Sequence, residues 1–365
     1  MMKRVVILVL LVVFTGITAF AQADLQPVAI VRLTRSEPIT VRQLRSELEK
    51  LAWQGFASRN GRIPTPAELN REVQNFTLTD RRNILEMVIN ERLALQAAER
   101  DRVTFTENEL NQAVNMLRVQ MAQGIGRQPT EEEFAMAIRN ETGQDFPAFR
   151  ESLRRQSIAN KYLMTTKADI FGSIQMPTEA EIVNHYNLAR ADFVRPDTVR
   201  FTMIQVPYGP DAASRARARE LADRLNRDIN ANSSRFDEAV MRGQAPNSGY
   251  QAGDGGYLPR NPMAQQIVGM DFMNTAFSLR QGEVSRLIEG NPGFQIIKIT
   301  ETLPQAMLGI DDIMDPGTRM TVRQFIGSSI LQQRQQETIM RATQELISEL
   351  RTGNPFQIME QNLNF

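Results

Sequence analysis

The stretch Thr275-Ala276-Phe277-Ser278-Leu279-Arg280-Gln281-Gly282-Glu283-Val284-Ser285 contains the end of a short predicted helix, which runs from Phe272 to Leu279. A strand is predicted soon after it, at Gly293-Phe294-Gln295-Ile296-Ile297-Lys298-Ile299. A second strand is predicted upstream, where residues Val199 to Val206 alternate between apolar and polar side chains. The region between and around these strands decides the fold of the chain.

Two further segments lie between the strands. Residues Ala212 to Ile229 carry an apolar stripe at helical spacing. Residues Gly243 to Asn261 are rich in glycine, proline, asparagine and serine, and we expect a loop there. The resulting order of strand, helix, loop, helix and strand predicts a compact α+β domain of about 105 residues.

Helical patterns precede this domain. Apolar residues recur at helical spacing in residues 41–56, 80–100 and 146–171. In the first of these segments, Leu44, Leu48 and Leu51 are predicted to share one face. Further helices are predicted to begin at capping boxes, in which a threonine is followed three residues later by a glutamate. The threonines of these boxes are Thr106, Thr130 and Thr178.

Helical periodicity returns after the α+β domain, from Gly317 to Arg351. A helix of that length would span roughly 50 Å, so we expect it to dock on the first helical region. A final strand candidate, Phe356 to Met359, could pair with a predicted strand at Val28 to Leu33. The predicted domains are 24–192 plus 305–365 for the helical part, and 197–302 for the inserted α+β part.

The amino terminus has the features of an export signal. Met1-Met2-Lys3-Arg4 supplies positive charge, an apolar run follows, and Ala19-Phe20-Ala21 fits the A-x-A cleavage pattern. We therefore predict a signal peptide at residues 1–21 and a periplasmic location with no membrane span after cleavage. An uncleaved anchor is the alternative, although a spanning helix needs about 20 apolar residues.

The composition excludes several classes of function. Lysine plus arginine equals aspartate plus glutamate, at 42 each, so no nucleic-acid partner is expected. The chain has no cysteine and a single histidine, His185, which rules out thiolate chemistry and a histidine-rich metal site. No metal and no cofactor are expected.

Residues 197–302 resemble the parvulin (rotamase) family of peptidyl-prolyl isomerases. Residues 275–285 look like the family's "AaFsLkpGevS" segment, and 293–299 look like its "fGyHIIkv" strand. Residues 252–258 resemble the "GGDLGWf" turn, and 199–206 resemble the opening "vraSHILv" strand. These four segments occur in the family's order and spacing.

The flanking regions resemble the SurA and PrsA chaperones. Val28-Ala29-Ile30-Val31, followed by Pro38-Ile39-Thr40, looks like their opening strand and first helix start. Residues 84–93 resemble their "iLeqLIderLl" helix, and 177–186 resemble the segment that leads into the isomerase domain. The resemblance implies a mostly helical chaperone domain, completed by the C-terminal helix, with a single parvulin domain inserted.

The parvulin resemblance also implies a site, which combines an apolar cup for proline with two histidines and a cysteine or aspartate. This chain departs at all three polar positions, which are occupied by Met203, Ala245 and Gln295. Phe272 and Phe277 match the aromatic positions of the cup, and Val268 or Met270 could replace the usual methionine. Core packing is the alternative role for Phe272 and Phe277. The predicted substrate-binding residues are Met203, Val268, Met270, Phe272, Phe277 and Gln295.

The resemblance leaves alternative functions open. The first is a folding chaperone that binds unfolded or proline-containing polypeptides, outer-membrane proteins among them, and has weak or lost isomerase activity. The second is an active peptidyl-prolyl cis-trans isomerase with altered polar residues. A third is a homodimeric scaffold.

Overall fold

The computed structural model describes residues 24–209, 211–245, 248–291 and 293–365. The chain forms two compact units. The first contains the residues up to Ile174 together with Arg334–Phe365, and the second is Gln175–Gln333. The predicted signal peptide, residues 1–21, lies outside the described residues. The finer domain boundaries, at 24–192 plus 305–365 and at 197–302, stay a prediction.

Most of the chain is helical, and several helices begin where their caps predict. At Thr106, Thr130 and Thr178 the side chain accepts from the backbone N–H of the glutamate three residues later, and that glutamate accepts from the threonine N–H. No helix in the described part of the chain is long and apolar enough to cross a membrane. The helices are α1 Val41–Asn60, α2 Pro66–Gln74, α3 Leu78–Arg100, α4 Glu107–Ile125, α5 Glu131–Thr142, α6 Phe146–Thr166, α7 Ala168–Gly172, α8 Glu179–Leu188, α9 Ala212–Ala231, α10 Arg235–Gly243, α11 Pro262–Val268, α12 Met270–Ser278 and α13 Val322–Leu350.

The strands form small antiparallel sheets. In the described residues the largest sheet has the order β5-β4-β7-β6, and a three-stranded sheet has the order β11-β1-β2. The remaining strands form the pairs β3-β8 and β9-β10. The strands are β1 Pro27–Val31, β2 Glu37–Thr40, β3 Val194–Arg195, β4 Thr198–Pro207, β5 Gln251–Pro259, β6 Ile288–Glu289, β7 Gly293–Leu303, β8 Ala306–Met307, β9 Ile313–Asp315, β10 Met320–Thr321 and β11 Phe356–Ile358.

The core of the first unit joins the two ends of the described chain. Strand β11 pairs with β1, with Ala29 opposite Ile358, which confirms the predicted pairing of these segments. Leu346 and Leu350 of α13 are buried in the same apolar cluster as β1, α1 and α3. The end of the last long helix therefore completes the core that the first helices begin.

The predicted buried face of α1 is wrong at Leu51. Leu44 and Leu48 are fully buried as predicted, whereas Leu51 is 40% exposed. It lies at the edge of the apolar stripe, and Ala52 occupies the buried position beside it. A small side chain at that position lets α1 pack closely, so the larger leucine remains at the surface.

The second unit is built on the pairing of β4 with β7. Alternating side chains of these strands pack on opposite faces of the sheet. Ile204 and Ile296 contact the α9 and α10 side, while Phe201 and Ile297 pack with α12 on the other. Both predicted strands are confirmed, and the fold class is α+β as predicted.

The predicted loop at 243–261 is wrong for Gln251–Pro259, which forms the edge strand β5. Its glycines favour a loop prediction, because glycine has low strand propensity. Packing against the sheet explains why one of them, Gly255, is a glycine. A Cβ on Gly255 would lie 2.2 Å from Cε2 of Phe201. The ring can therefore cover the strand only where a side chain is missing.

A separate apolar cluster joins the beginning and the end of the second unit's sequence range. Tyr186 stacks on Phe193 with ring centroids 5.7 Å apart, and its hydroxyl donates to the carbonyl of Leu308 at 2.9 Å.

The predicted start of the last helix at Gly317 is wrong: residues 313–321 form the β9-β10 hairpin, and α13 begins at Val322.

Leu346→Ala should lower the free energy of unfolding of the first unit by about 2–5 kcal/mol, because it empties a buried site. Urea titration followed by tryptophan fluorescence measures this. Trp53, the only tryptophan, lies on α1, and its indole N–H donates to the Asn140 carbonyl at 2.8 Å. Met340→Ala, at a position that is 63% exposed on the same helix, should change stability by under about 0.5 kcal/mol. Equal effects of the two variants would contradict the proposed closure by α13.

Gly255→Ala should destabilise the large sheet by about 1–3 kcal/mol, because the new methyl group displaces Phe201. Gly253→Ala is the matched control on the same strand, since a Cβ there meets no atom within 4 Å. Amide hydrogen exchange in β4 and β7 is the measurement. Faster exchange is expected in the first variant alone, and unchanged exchange there would show that β5 does not pack as described.

Candidate functional site

The pairing of β4 with β7 brings two of the predicted site residues together. Met203 pairs with Ile297, and Gln205 pairs with Gln295. Met203 and Gln295 are therefore diagonal neighbours on one face of the sheet, at roughly 7–8 Å between their backbones. Met203 packs against the apolar cluster that contains Phe201 and Ile297.

Gln295 is the polar group of this face. It is only 9% exposed, and its backbone pairs with both Gln205 and Ile288. A Cβ on Gly290 would lie 3.3 Å from its Oε1 atom, so the carboxamide lies directly beneath this glycine. Within the described residues, its side chain forms no hydrogen bond. A carboxamide can both donate and accept a hydrogen bond, so this group can serve a ligand that reaches it.

A cleft of about 310 Å³ lies beside Gln295. Its walls come from the junction of α11 and α12 and from the segment that follows β6. Met270 is 54% exposed at its mouth, whereas Phe272 is buried in its wall. The apolar lining residues include Val268, Met270, Phe272 and Ile288.

The two phenylalanines have different roles. The ring of Phe272 makes an edge-to-face contact with Phe201 at 5.3 Å between centroids, so it is core packing and cleft wall at once. Phe277 is half-buried in the same cluster, and the guanidinium of Arg260 lies over its ring at 5.2 Å. Phe277 therefore supports the cleft without lining it.

Ala245 is not among the residues that line this cleft. It is exposed in the turn after α10, where its N–H donates to the carbonyl of Arg242 at 3.1 Å. The buried residues of α10, Phe236 and Ala239, pack on the opposite face of the sheet from Met203 and Gln295. Of the predicted site residues, Val268, Met270 and Phe272 line the cleft, whereas Met203, Gln295 and Phe277 lie on the same side of the sheet without lining it, and Ala245 lies apart from them.

Sequence reasoning missed residues 285–291, which contain β6, and the charged residues of the cleft. Glu289 lines the cleft, but Arg215 and Arg219 neutralise it at 2.9 and 3.1 Å. Asp271 also lines it, in the first turn of α12. The segment is held in place by Ser285, whose Oγ accepts from the Ile297 N–H at 2.9 Å. Nothing in the local pattern of residues 285–291 marks it as a cleft wall.

The first unit carries a second candidate surface, a groove of about 460 Å³ between α1, α3, α6 and the end of α13. Met87 is 56% exposed in it, and Leu51 lines an adjoining hollow. Ion pairs form the rim, with Lys50 to Glu47 at 2.7 Å and Arg155 to Glu91 at 3.2 Å. The apolar residues of the groove are Met87, Ala94, Ala159, Leu163, Leu346 and Ile347.

Two family models match the chain, and they match the two parts of the sequence separately. The model of the SurA-like N-terminal domain matches residues 1–163. The model of the PPIC-type PPIase domain matches residues 177–313. The second match includes both central strands and all residues of the cleft beside Gln295.

Characterised relatives match most of the chain. The chaperone SurA of Saccharophagus degradans is 26% identical over 294 residues, covering 80% of this chain and 62% of that protein. The chaperone SurA of Alcanivorax borkumensis is 29% identical over 294 residues, covering 78% and 60%. The chain therefore spans about three fifths of the length of these relatives. A solved SurA-like chaperone of Campylobacter jejuni aligns over 92% of this chain and 100% of its own, at 12% identity and a TM-score of 0.36.

Proposed function

We propose that this SurA-like chain, with its SurA-like N-terminal domain and one PPIC-type domain, is a periplasmic folding chaperone that binds unfolded polypeptides. The clients we propose are exported chains, outer-membrane proteins among them. The periplasmic location rests on the export signal predicted at residues 1–21 and on the similarity to SurA chaperones. A homodimer is an alternative arrangement, which light scattering at several concentrations would test.

The groove of the first unit carries the proposal. Met87 in the groove and Leu51 in the adjoining hollow offer exposed apolar surface that a folded monomer would ordinarily cover. Methionine is flexible and polarizable, so it adapts to side chains of different shape. The charged pairs at the rim, Lys50 with Glu47 and Arg155 with Glu91, keep the surface hydrated around an apolar centre. Such a surface suits transient contact with many unfolded sequences.

The parvulin-like cleft supports binding more than catalysis. Prolyl isomerisation crosses a barrier of about 18–20 kcal/mol as amide resonance is broken. An enzyme lowers this barrier with hydrogen bonds that are stronger to the twisted amide than to the planar one. Met203 supplies a thioether, and Gln295 supplies a neutral carboxamide, at the two strand positions. We infer that isomerase activity is weak or lost while the apolar wall still accepts a peptide.

An active peptidyl-prolyl isomerase is the second candidate function. It is favoured by one observation, the position of the Gln295 carboxamide, whose Oε1 atom lies next to Gly290, a residue that lines the cleft together with Phe272. A substrate amide in the cleft would hydrogen-bond to that group. The two functions can coexist, since they use different units of the chain.

The double variant Leu51→Ser/Met87→Ser should suppress client aggregation less well, with affinity roughly tenfold weaker, because it removes apolar contact area in the groove. The measurement is light scattering of an unfolded outer-membrane barrel protein diluted from urea. Met116→Ser/Met136→Ser is the matched control, since these methionines are 68% and 62% exposed in the same unit but lie outside the groove. Failure of the unaltered protein to suppress aggregation at stoichiometric amounts would defeat the proposal.

NMR exchange on Ala-Xaa-Pro peptides should show interconversion close to the uncatalysed rate, because the cleft lacks the family's histidines. Met270→Ala is the diagnostic variant, since Met270 is exposed at the mouth of the cleft and its loss spares the core. Met263→Ala, 73% exposed and outside the cleft lining, is its control. Exchange well above the uncatalysed rate, reduced only by Met270→Ala, would establish the enzyme instead.

A further inference from the structure

A second cleft in the second unit, of about 450 Å³, is lined by three arginines. It lies at the far end of β4 from Gln295. Arg200 pairs with Glu301 across the sheet, whereas Gln205 pairs with Gln295, and five residues of strand separate the two positions by about 17 Å. No function proposed above uses this cleft. Its charged and aromatic lining residues are Arg195, Arg200, Arg319, Tyr257 and Glu301.

The positive charge of this arginine cleft is only partly compensated. Arg200 forms an ion pair with Asp254 at 2.6 Å, and the only lining carboxylate, that of Glu301, accepts from the Tyr257 hydroxyl at 2.7 Å. This hydrogen bond raises the pKa of Tyr257, so the phenol keeps its proton at neutral pH. In the described part of the chain, neither Arg195 nor Arg319 has an ion-pair partner. The carboxylate of Glu301 offsets part of this charge without forming an ion pair with either guanidinium group, so the cleft keeps an excess of positive charge.

Both of these arginines are held by the backbone around them. An Nη2 group of Arg195 donates to the carbonyl of Pro304 at 3.3 Å, while its Nε atom is buried with no partner. Arg319 has a positive φ of 58°, a conformation that costs a non-glycine residue roughly 1 kcal/mol. The turn before it is fixed by Asp315, which accepts from the Gly317 N–H and the Thr318 hydroxyl at 2.9 and 2.7 Å. The guanidinium group of Arg195 and the backbone of Arg319 are thus positioned before a ligand arrives.

The remaining walls of the cleft are apolar, and they come from Leu303, Ile313 and Pro316. A planar carboxylate matches the fork of a guanidinium group better than a spherical anion does. Apolar surface directly beside the charges suits a carboxylate that is attached to a polypeptide, because a neighbouring side chain can pack there.

We infer that the arginine cleft binds a carboxylate of a client polypeptide, either an acidic side chain or a free C-terminus. The inference rests on the proposed polypeptide-binding function and adds a polar anchor to it. The unpaired charges of Arg195 and Arg319 hold the carboxylate, and Tyr257 and Leu303 contact the adjoining residue. Acidic clients gain affinity at a point remote from the Gln295 cleft.

Fluorescence polarization with three labelled peptides of equal length tests this inference on the full chain. One peptide carries internal glutamates and an amidated end, one carries glutamines and a free carboxyl end, and one carries glutamines and an amidated end. We expect at least one carboxylate peptide to bind roughly tenfold more tightly than the neutral one, as a charge-assisted hydrogen bond predicts. If the glutamate peptide binds more tightly, the cleft takes an acidic side chain. If the peptide with the free carboxyl end binds more tightly, it takes a C-terminus.

Arg195→Gln/Arg319→Gln should remove this tenfold preference and leave binding of the neutral peptide unchanged. Arg227→Gln, on the exposed side of α9, changes the charge of the same unit and should leave the preference intact. Equal binding of all three peptides by a protein that still suppresses client aggregation would overturn the inference and spare the proposed function. Preferential binding of inorganic phosphate, or an effect of Arg227→Gln equal to that of the cleft variant, would also overturn it.

Discussion

The antiparallel pairing of β4 with β7 is the constraint on which the second unit depends. It joins segments about 90 residues apart, from Thr198 opposite Leu303 to Pro207 opposite Gly293. Because side chains alternate across a strand, this one register assigns Ile204 and Ile296 to one apolar cluster and Met203 and Gln295 to the opposite face. A shift of a single residue in one strand would exchange the side chains that it presents to the two faces.

The parts of the fold that could be predicted from sequence are those with a strong local period or a cap. The alternation of residues 199–206 and the apolar run at 293–300 identified the central strands, and the threonine boxes located helix starts. Strand β5 could not be predicted from its sequence, because its glycines are typical of a turn. Gly255 instead makes room for the ring of Phe201, which packs over the strand. Strand propensity takes no account of such a contact with another strand.

The sites were less predictable, because each is assembled from residues that are distant in sequence. The family pattern pointed to Met203 and Gln295, which lie in the matching segments 199–206 and 293–299, and to Phe272 just before the segment 275–285. The sequence does not reveal the cleft wall at Ile288 and Gly290. It does not reveal the arginine cleft either, because both depend on how loops pack against the edge of the sheet. Leu51 illustrates the same limit: helical periodicity describes a stripe, but a groove at the stripe's edge exposes an otherwise ordinary core leucine.

The chemistry of the Gln295 cleft follows from what its residues can distinguish. Under the proposed chaperone function, the Gln295 carboxamide and the Met203 thioether bind a planar and a twisted prolyl amide to a similar degree, and such uniform binding does not lower a barrier. The apolar wall at Phe272 and Met270 would then contribute affinity for the client in its existing conformation. A chaperone needs that kind of affinity, because it must hold chains in many conformations and release them unchanged. The loss of polar catalytic residues and the retention of an apolar wall are therefore physically consistent with one another.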